Sequence, residues 1–164
     1  VDAIMKAGAN AIKIEGADAS LKTIRFLTDT DVPVMGHLGL TPQSVNKFGG
    51  FRIRGRDDNQ KAKLIEDSKR LEDAGVFALV LEMIPSALAA EITASLTIPT
   101  IGIGAGNMTS GQILVYHDLL GMNPGFRPRF VKCFLDGETL IREALNRYDT
   151  EVKSLDFPSE KESY

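Results

Sequence analysis

The chain has 164 residues, of which 43% are hydrophobic and 25% are charged, and its formal net charge is −3. This length and composition are typical of one globular domain with an apolar core, and the slightly acidic balance excludes electrostatic attraction to nucleic acid or to a membrane surface. The single cysteine, Cys133, excludes a disulfide framework within the chain, and we therefore predict a cytoplasmic location.

Short apolar segments alternate along the chain with segments of helical periodicity. The chain opens on Val1, inside what reads as the end of an amphipathic helix, so we expect further residues upstream. A long glycine-rich segment at 38–59 is typical of a functional loop. The pattern predicts strands at 11–15, 33–37, 77–82 and 99–103, a weaker strand at 112–117, and helices at 20–28, 59–74, 87–95 and 128–153.

Strands that alternate with helices are typical of a parallel α/β fold, which leaves an open doubly wound sheet and a (β/α)8 barrel as alternatives. Short buried strands with polar residues at their carboxyl ends favour the TIM barrel. A whole barrel needs about 250 residues, so this chain would cover about the last five β/α units. We accordingly predict a partial barrel domain over 1–153 and a polar tail over 154–164.

The chain contains an internal repeat. K-A-G-A-N-A-I-K-I-E ends at Glu15 and D-A-G-V-F-A-L-V-L-E ends at Glu82, and a Pro-x-x-Gly strand follows each of them. Because α/β folds place their chemistry at the carboxyl ends of parallel strands, we predict that both glutamates open onto one cavity. The alternative for each glutamate is a solvated charge at a strand end.

Side chains alternate between the two faces of a strand, so Lys13 and Glu15 share one face while Ile12 and Ile14 take the other. The apolar pair fits the face that packs on helices, which leaves the charged pair at the mouth of the barrel. Lys13 and Glu15 could alternatively form a structural ion pair. Glu82 follows an apolar run that disfavours its charged form, which makes it a candidate general base.

Several further residues have a structural reading beside a functional one. The sequence is equally compatible with two roles for His37, in G-H-L-G-L: a hydrogen-bonded structural residue and an active-site group. The glycines at 102–106 are a weak signal for cofactor approach, since glycines also serve tight turns. For the remaining candidates a structural role is favoured. His117 and Asp118 are interpreted as a packed strand end, and Cys133 has no activating pattern nearby. The arginines at 52, 54 and 56 are interpreted as part of a solvated loop or a subunit contact.

Four motifs together resemble the ketopantoate hydroxymethyltransferase family. They are A-G-A-N-A-I-K-I-E-G, P-V-M-G-H-L-G-L-T-P-Q-S-V-N-K-F-G-G, L-V-L-E-M-I-P and I-P-T-I-G-I-G-A-G. The resemblance runs from about residue 3 to about residue 150 and covers the later part of that family's enzyme. It implies a (β/α)8 barrel, a homo-oligomer, and hydroxymethyl transfer from 5,10-methylenetetrahydrofolate to 3-methyl-2-oxobutanoate, which gives 2-dehydropantoate for pantothenate and coenzyme A synthesis.

The resemblance also implies roles for particular residues. Glu82 matches the proton acceptor, Lys13 a substrate-binding lysine, Glu15 a ligand of Mg²⁺, and His37 a histidine of the active-site region. The family's two magnesium-binding aspartates and a substrate-contacting serine lie in N-terminal strands that have no counterpart here.

Two alternatives remain open at this point. One is a magnesium-dependent lyase or mutase of 2-oxo acids on a related barrel, in the class of isocitrate lyase and phosphoenolpyruvate mutase. The other is a truncated barrel that acts as a non-catalytic assembly or binding module.

Overall fold

The computed structural model describes residues 1–41 and 53–164. Residues 42–52, which include Arg52 and the centre of the predicted glycine-rich loop, lie outside the described part of the chain. The chain divides into two compact units, Val1–Ile113 and Leu114–Tyr164. In the described ranges no helix is both long and apolar enough to cross a membrane.

The first unit is built on a parallel sheet whose strand order follows the chain from β1 to β5. Helices lie between the strands, which confirms the predicted α/β alternation. The strands are β1 Ile12–Glu15, β2 Val34–Gly39, β3 Ala78–Glu82, β4 Thr100–Ile103 and β5 Gly111–Gln112, and the helices are α1 Asp2–Lys6, α2 Leu21–Thr28, α3 Asp58–Asp73 and α4 Ser86–Ser95.

Helix α3 shows how local sequence sets the element boundaries. Asp57 caps its start, because the Asp57 carboxylate accepts a hydrogen bond of 2.9 Å from the backbone N–H of Gln60. Gly75 follows its end with φ +87°, a left-handed conformation that glycine adopts without strain. The buried Leu64 and Leu71 lie one above the other on the face that turns to the sheet.

One face of the sheet packs against the helices and forms the core. Val34, Leu79 and Leu81 are fully buried there, against the equally buried Ile24 of α2 and Leu71 of α3. Burying each such side chain contributes about 1.5–3 kcal/mol, so this layer holds the unit together. Ile12 and Ile14 pack against the same core, as their alternation predicts.

The second unit differs from the predicted elements. It contains α5 Tyr116–Leu119, α6 Gly137–Ser154 and a 3-10 turn at Glu160–Glu162. Of the strand predicted at 112–117, only Gln112 lies in a strand, as the second residue of β5, because the chain turns into α5 at Tyr116. The helix predicted from residue 128 begins only at Gly137.

Backbone hydrogen bonding explains the late start of α6. The N–H groups of Phe134 and Gly137 donate to the carbonyls of Leu119 and Leu120, at 2.8 and 2.9 Å, so they bond outside the helix. These bonds hold the segment before α6 as a loop.

Candidate active site

The four residues predicted to carry chemistry come from three neighbouring strands at one end of the sheet. Lys13 and Glu15 are on β1, His37 is on β2, and Glu82 ends β3. Glu15 pairs with His37 in the strand register, whereas Glu82 pairs with Gly39, two residues further along β2. Because paired residues of parallel strands share a face, all four side chains lie on the face opposite the helices.

His37 lies at the centre of this cluster and is 1% exposed. Its Nδ1 is 3.0 Å from Nζ of Lys13 and 3.7 Å from Oε1 of Glu15. On the other side of the ring, Nε2 is 3.2 Å from Oε2 of Glu82. One imidazole therefore contacts all three of the other predicted site residues.

The Nε2 contact has the length of a hydrogen bond but not its geometry. Among the described residues, Nε2 of His37 has no hydrogen-bond partner. Since 3.2 Å is within hydrogen-bond range, the missing element is alignment of the N–H with the Glu82 carboxylate. A buried donor without a partner is uncommon and points to a functional group.

Lys13 and Glu15 also contact each other, with 3.4 Å between Nζ and Oε1. The Lys13 ammonium is closer to His37 than to Glu15, so an isolated ion pair does not describe the arrangement. The Lys13 side chain is 45% exposed and that of Glu15 is 11% exposed. The lysine can therefore reach a bound molecule, while the glutamate is held close to the sheet.

Glycine at position 39 is required to bring β2 next to Glu82. Its φ is +96°, and a Cβ atom there would lie 2.1 Å from the backbone oxygen of Glu82. The next residue, Leu40, donates its N–H to that same oxygen at 2.8 Å. The end of β3 is thus fixed by backbone contacts that no larger residue at 39 permits.

The surroundings of Glu82 agree with the apolar wall expected from the sequence. The preceding residues of β3, 78–81, are buried. Ile103, which pairs with Glu82 from β4, is 8% exposed. The Glu82 side chain keeps an exposed fraction of 17%, enough for contact with a substrate.

A cavity beside the cluster is lined by Glu15, by the loop after β1 and by the face of α3 that carries Lys63 and Asp67. Glu82 does not line it. That Glu15 and Glu82 open onto one cavity stays a prediction. The two glutamates lie at the same end of the sheet but are connected through His37.

An ion network that the sequence analysis missed borders this cavity. Lys63 Nζ is 2.7 Å from Oδ1 of both Asp18 and Asp67, and Arg70 Nη1 is 3.1 and 2.8 Å from the same atoms. Hydrogen bonds from Lys63 and then Arg70 hold the pKa of Asp18 below its ordinary value. The spacing of Lys63 and Arg70 from Asp67 on α3, four and three residues, predicts the part of the network that lies within this helix. The link to Asp18 depends on the tertiary fold.

The metal expected at Glu15 finds few ligands in the described residues. They contain no group of three or more His, Cys, Asp or Glu side chains that could hold a metal ion. Glu15 provides one carboxylate, and the Lys13 ammonium 3.4 Å away competes for it. Mg²⁺ requires an octahedron of oxygen ligands, so these residues do not form a magnesium site by themselves.

The structure gives the glycine-rich turn, Asp118 and Cys133 structural contacts, and it places Asp118 in a different element from the one predicted. A Cβ at Gly106 would lie 2.4 Å from Cβ of Ser86, so close packing explains that glycine in the turn. Asp118 belongs to helix α5 rather than to a strand end, and it accepts a hydrogen bond of 2.7 Å from the side chain of Asn123. Cys133 donates to the carbonyl of Asp118 at 3.2 Å.

Comparison with known proteins identifies close relatives of this chain. The ketopantoate hydroxymethyltransferase family matches residues 1–160. A 3-methyl-2-oxobutanoate hydroxymethyltransferase of Bdellovibrio bacteriovorus is 60% identical over 164 residues, which are 100% of this chain and 62% of the relative. The protein named 3-methyl-2-oxobutanoate hydroxymethyltransferase 2 of Bradyrhizobium diazoefficiens is 52% identical over 160 residues, 98% of this chain and 55% of the relative.

A third relative, from Bacteroides thetaiotaomicron, carries the name 3-methyl-2-oxobutanoate hydroxymethyltransferase. It is 51% identical over 156 residues, which are 95% of this chain and 57% of the relative. The chain therefore spans between 55% and 62% of the length of these three relatives.

Proposed function

Because the chain belongs to the ketopantoate hydroxymethyltransferase family, we propose that its protein transfers a hydroxymethyl group to 3-methyl-2-oxobutanoate. The donor is 5,10-methylenetetrahydrofolate and the product is 2-dehydropantoate, a precursor of pantothenate and coenzyme A. The names of relatives at 51–60% identity support this reaction. The observation that carries the proposal is the cluster of Lys13, Glu15, His37 and Glu82 at one end of the sheet.

The reaction begins with removal of the proton from C3 of the substrate, the carbon next to the ketone. We assign this step to the Glu82 carboxylate, which has apolar neighbours and a partly exposed side chain. The electrons of the broken C–H bond form an enolate. The Lys13 ammonium, on the same face, stabilises that negative charge and holds the substrate carboxylate.

Carbon–carbon bond formation follows. The enolate carbon attacks the methylene carbon as the bond from that carbon to one folate nitrogen breaks. Water then displaces the second folate nitrogen and supplies the oxygen of the new hydroxymethyl group. The two released nitrogens take up the proton held by Glu82 and the proton lost by water. Tetrahydrofolate leaves as the second product.

Glu15 is proposed as one ligand of a magnesium ion, although the described residues contain no group of three or more His, Cys, Asp or Glu side chains that could hold it. In the full-length protein, Glu15→Gln should weaken Mg²⁺ binding at least about tenfold in calorimetric titration. Glu91→Gln, on the exposed face of α4, serves as the control. Equal Mg²⁺ affinity of the Glu15 variant and the wild type would contradict the assignment.

At the level of architecture, we propose that the parallel sheet is part of a (β/α)8 barrel, with the barrel domain over 1–153 and a polar tail over 154–164. Sequential parallel strands with polar residues at their carboxyl ends support this arrangement. We further propose a homo-oligomer in the cytoplasm, as the family resemblance implies.

A turnover experiment tests the reaction. Full-length protein is incubated with 3-methyl-2-oxobutanoate, 5,10-methylenetetrahydrofolate and Mg²⁺, and 2-dehydropantoate is detected by mass spectrometry. We expect product only when the folate is present. Cleavage or rearrangement of a 2-oxo acid without folate would favour the lyase or mutase alternative, and no turnover of either kind would favour a non-catalytic module.

A further inference from the structure

The buried imidazole of His37 has different partners on its two nitrogens. Nδ1 is 3.0 Å from a lysine ammonium, and Nε2 is 3.2 Å from a glutamate oxygen. The side chain is only 2% exposed, so water does not replace these contacts. The functions proposed for Lys13, Glu15 and Glu82 leave this residue unused.

The Lys13 contact determines which nitrogen carries the proton. An ammonium group has three donors and no acceptor, so the ring nitrogen that faces it must accept. Nδ1 of His37 therefore bears the lone pair, and the single proton of the neutral ring sits on Nε2. A proton on Nδ1 would point at the positive charge of Lys13. The Glu15 oxygen, 3.7 Å from Nδ1, is too distant to reverse this preference.

A proton on Nε2 gives His37 a donor directed to the side of Glu82. Alignment of this N–H with the carboxylate would make the contact a hydrogen bond to Oε2, because the distance is already 3.2 Å. Such contacts commonly tighten when substrate binds. With Oε2 held by His37, the other carboxylate oxygen, Oε1, remains available for a substrate proton.

We propose that His37 is a positioning residue that holds Oε2 of Glu82 and so directs proton abstraction to Oε1, with Lys13 fixing the histidine tautomer. This inference rests on the proposed function, in which Glu82 removes the C3 proton. It makes Lys13, His37 and Glu82 one connected unit across three strands. Lys13 then has a second task besides the substrate, which is to orient the base through the imidazole.

Three substitutions of His37 separate this role from packing. His37→Gln keeps an acceptor for Lys13 and an N–H donor near the position of Nε2. His37→Asn keeps polar atoms near Nδ1 but does not reach Glu82, and His37→Leu loses both contacts. The full-length variants are compared by kcat, KM and exchange of the substrate C3 proton in D₂O, after circular dichroism and thermal unfolding have verified the fold.

We expect His37→Gln to retain most of the exchange rate and of kcat. His37→Asn and His37→Leu should both lose about 10²-fold in these rates with little change in KM, since misplacing a reacting group by about 1 Å costs that much. Wild-type exchange rates in a folded His37→Leu protein would overturn the proposal. Equal losses in all three folded variants would also overturn it, because the donor would then not matter.

Nitrogen-15 NMR of labelled histidine measures the tautomer without any turnover. The wild-type spectrum should show His37 protonated on Nε2, and Lys13→Met should convert it to a mixture of the two tautomers. A wild-type proton on Nδ1 would overturn the inference whatever the activity. If the tautomer is as expected but the wild-type protein neither turns over 3-methyl-2-oxobutanoate nor exchanges its proton, the proposed function fails and the tautomer assignment stands.

Discussion

Glu82 is the residue to which we assign the chemical step, and its substitution gives the most direct measurement at the residue scale. Glu82→Gln is nearly isosteric, so we expect substrate binding to persist while turnover falls about 10²–10⁴-fold, the usual contribution of a general base. Exchange of the C3 proton in D₂O, followed by NMR, isolates the step. Glu91→Gln is the control, and exchange at the wild-type rate in the Glu82 variant would remove Glu82 from the role.

Gly39 tests whether the close approach of β2 to β3 positions Glu82. Gly39→Ala adds a Cβ that would meet the Glu82 carbonyl oxygen at 2.1 Å, in a backbone with φ +96°. Gly16→Ala is the matched control, because its φ is +79° but its Cβ would meet nothing nearer than 3.8 Å. We expect the control to cost about 1–2 kcal/mol from the left-handed backbone alone.

The Gly39 variant should lose more than the control in the free energy of unfolding, measured by urea denaturation of the full-length protein. Its C3 exchange should also fall, since the end of β3 must move. Equal stability losses in the two variants would show that Glu82 does not depend on this contact.

At the same scale, the sequence predicts the individual residues of the site but not the contacts that connect them. Alternation along β1 correctly assigns Lys13 and Glu15 to the face opposite Ile12 and Ile14, because that assignment needs only the strand period. The connection through His37 is not predictable in this way. It depends on the register that pairs Glu15 with His37, which hydrogen bonds between strands determine.

At the scale of elements, Glu72 connects the end of α3 to the residues that lead into β4. Its Oε1 accepts hydrogen bonds from the N–H and hydroxyl of Thr97, at 2.6 and 2.8 Å, and from the N–H of Ile98 at 3.2 Å. Burial acts to raise the pKa of Glu72, but these hydrogen bonds outweigh it and hold the pKa below its ordinary value. The charged carboxylate thus stabilises the folded protein.

We expect Glu72→Gln to reduce the free energy of unfolding by about 1–2 kcal/mol at pH 7. Because the folded-state pKa is the lower one, the wild type has this stability above the unfolded pKa of about 4.3 and loses it as the pH falls through the folded pKa. The difference between wild type and variant should therefore shrink below about pH 4. Urea unfolding between pH 3 and pH 7 measures it, and a difference independent of pH would contradict this account.

Element boundaries are predictable where a local signal sets them. Asp57 and Gly75 frame α3, and the sequence gives its limits to within one residue at each end. The start of α6 is missed, because the N–H groups of Phe134 and Gly137 bond to carbonyls of the chain around α5. Helical periodicity carries no information on such contacts.

At the scale of the whole molecule, we expect the 164-residue chain, expressed by itself, to self-associate and to lack turnover. In the described residues β1 pairs on one side only, with β2, and a free strand edge promotes aggregation. Helix α6 also exposes an apolar stripe at heptad spacing. Its members are Ile141, Leu145, Tyr148 and Val152.

Light scattering during size-exclusion chromatography measures this association at several protein concentrations. Leu145→Lys interrupts the stripe on α6 without touching the sheet edge. Reduced association of that variant would assign the effect to α6, and unchanged association would assign it to the edge of β1. A chain that remains monomeric at high concentration and forms 2-dehydropantoate would contradict the expectation.

The parallel α/β class follows from the sequence because strand and helix patterns alternate, and the structure confirms that alternation. The division at Ile113 into two units has no such local signal. It depends on which segments contact one another, and short-range patterns do not record that.

The order of the strands has a consequence for how the protein folds during its synthesis. In the described residues, each strand from β1 to β4 hydrogen-bonds to the strand that follows it in the chain. The ribosome therefore synthesises these strands in the same order in which they lie in the sheet, and the sheet can be assembled from its N-terminal strand onwards. Glu82 emerges after Lys13, Glu15 and His37, so all four side chains are available for pairing before β4 emerges from the ribosome.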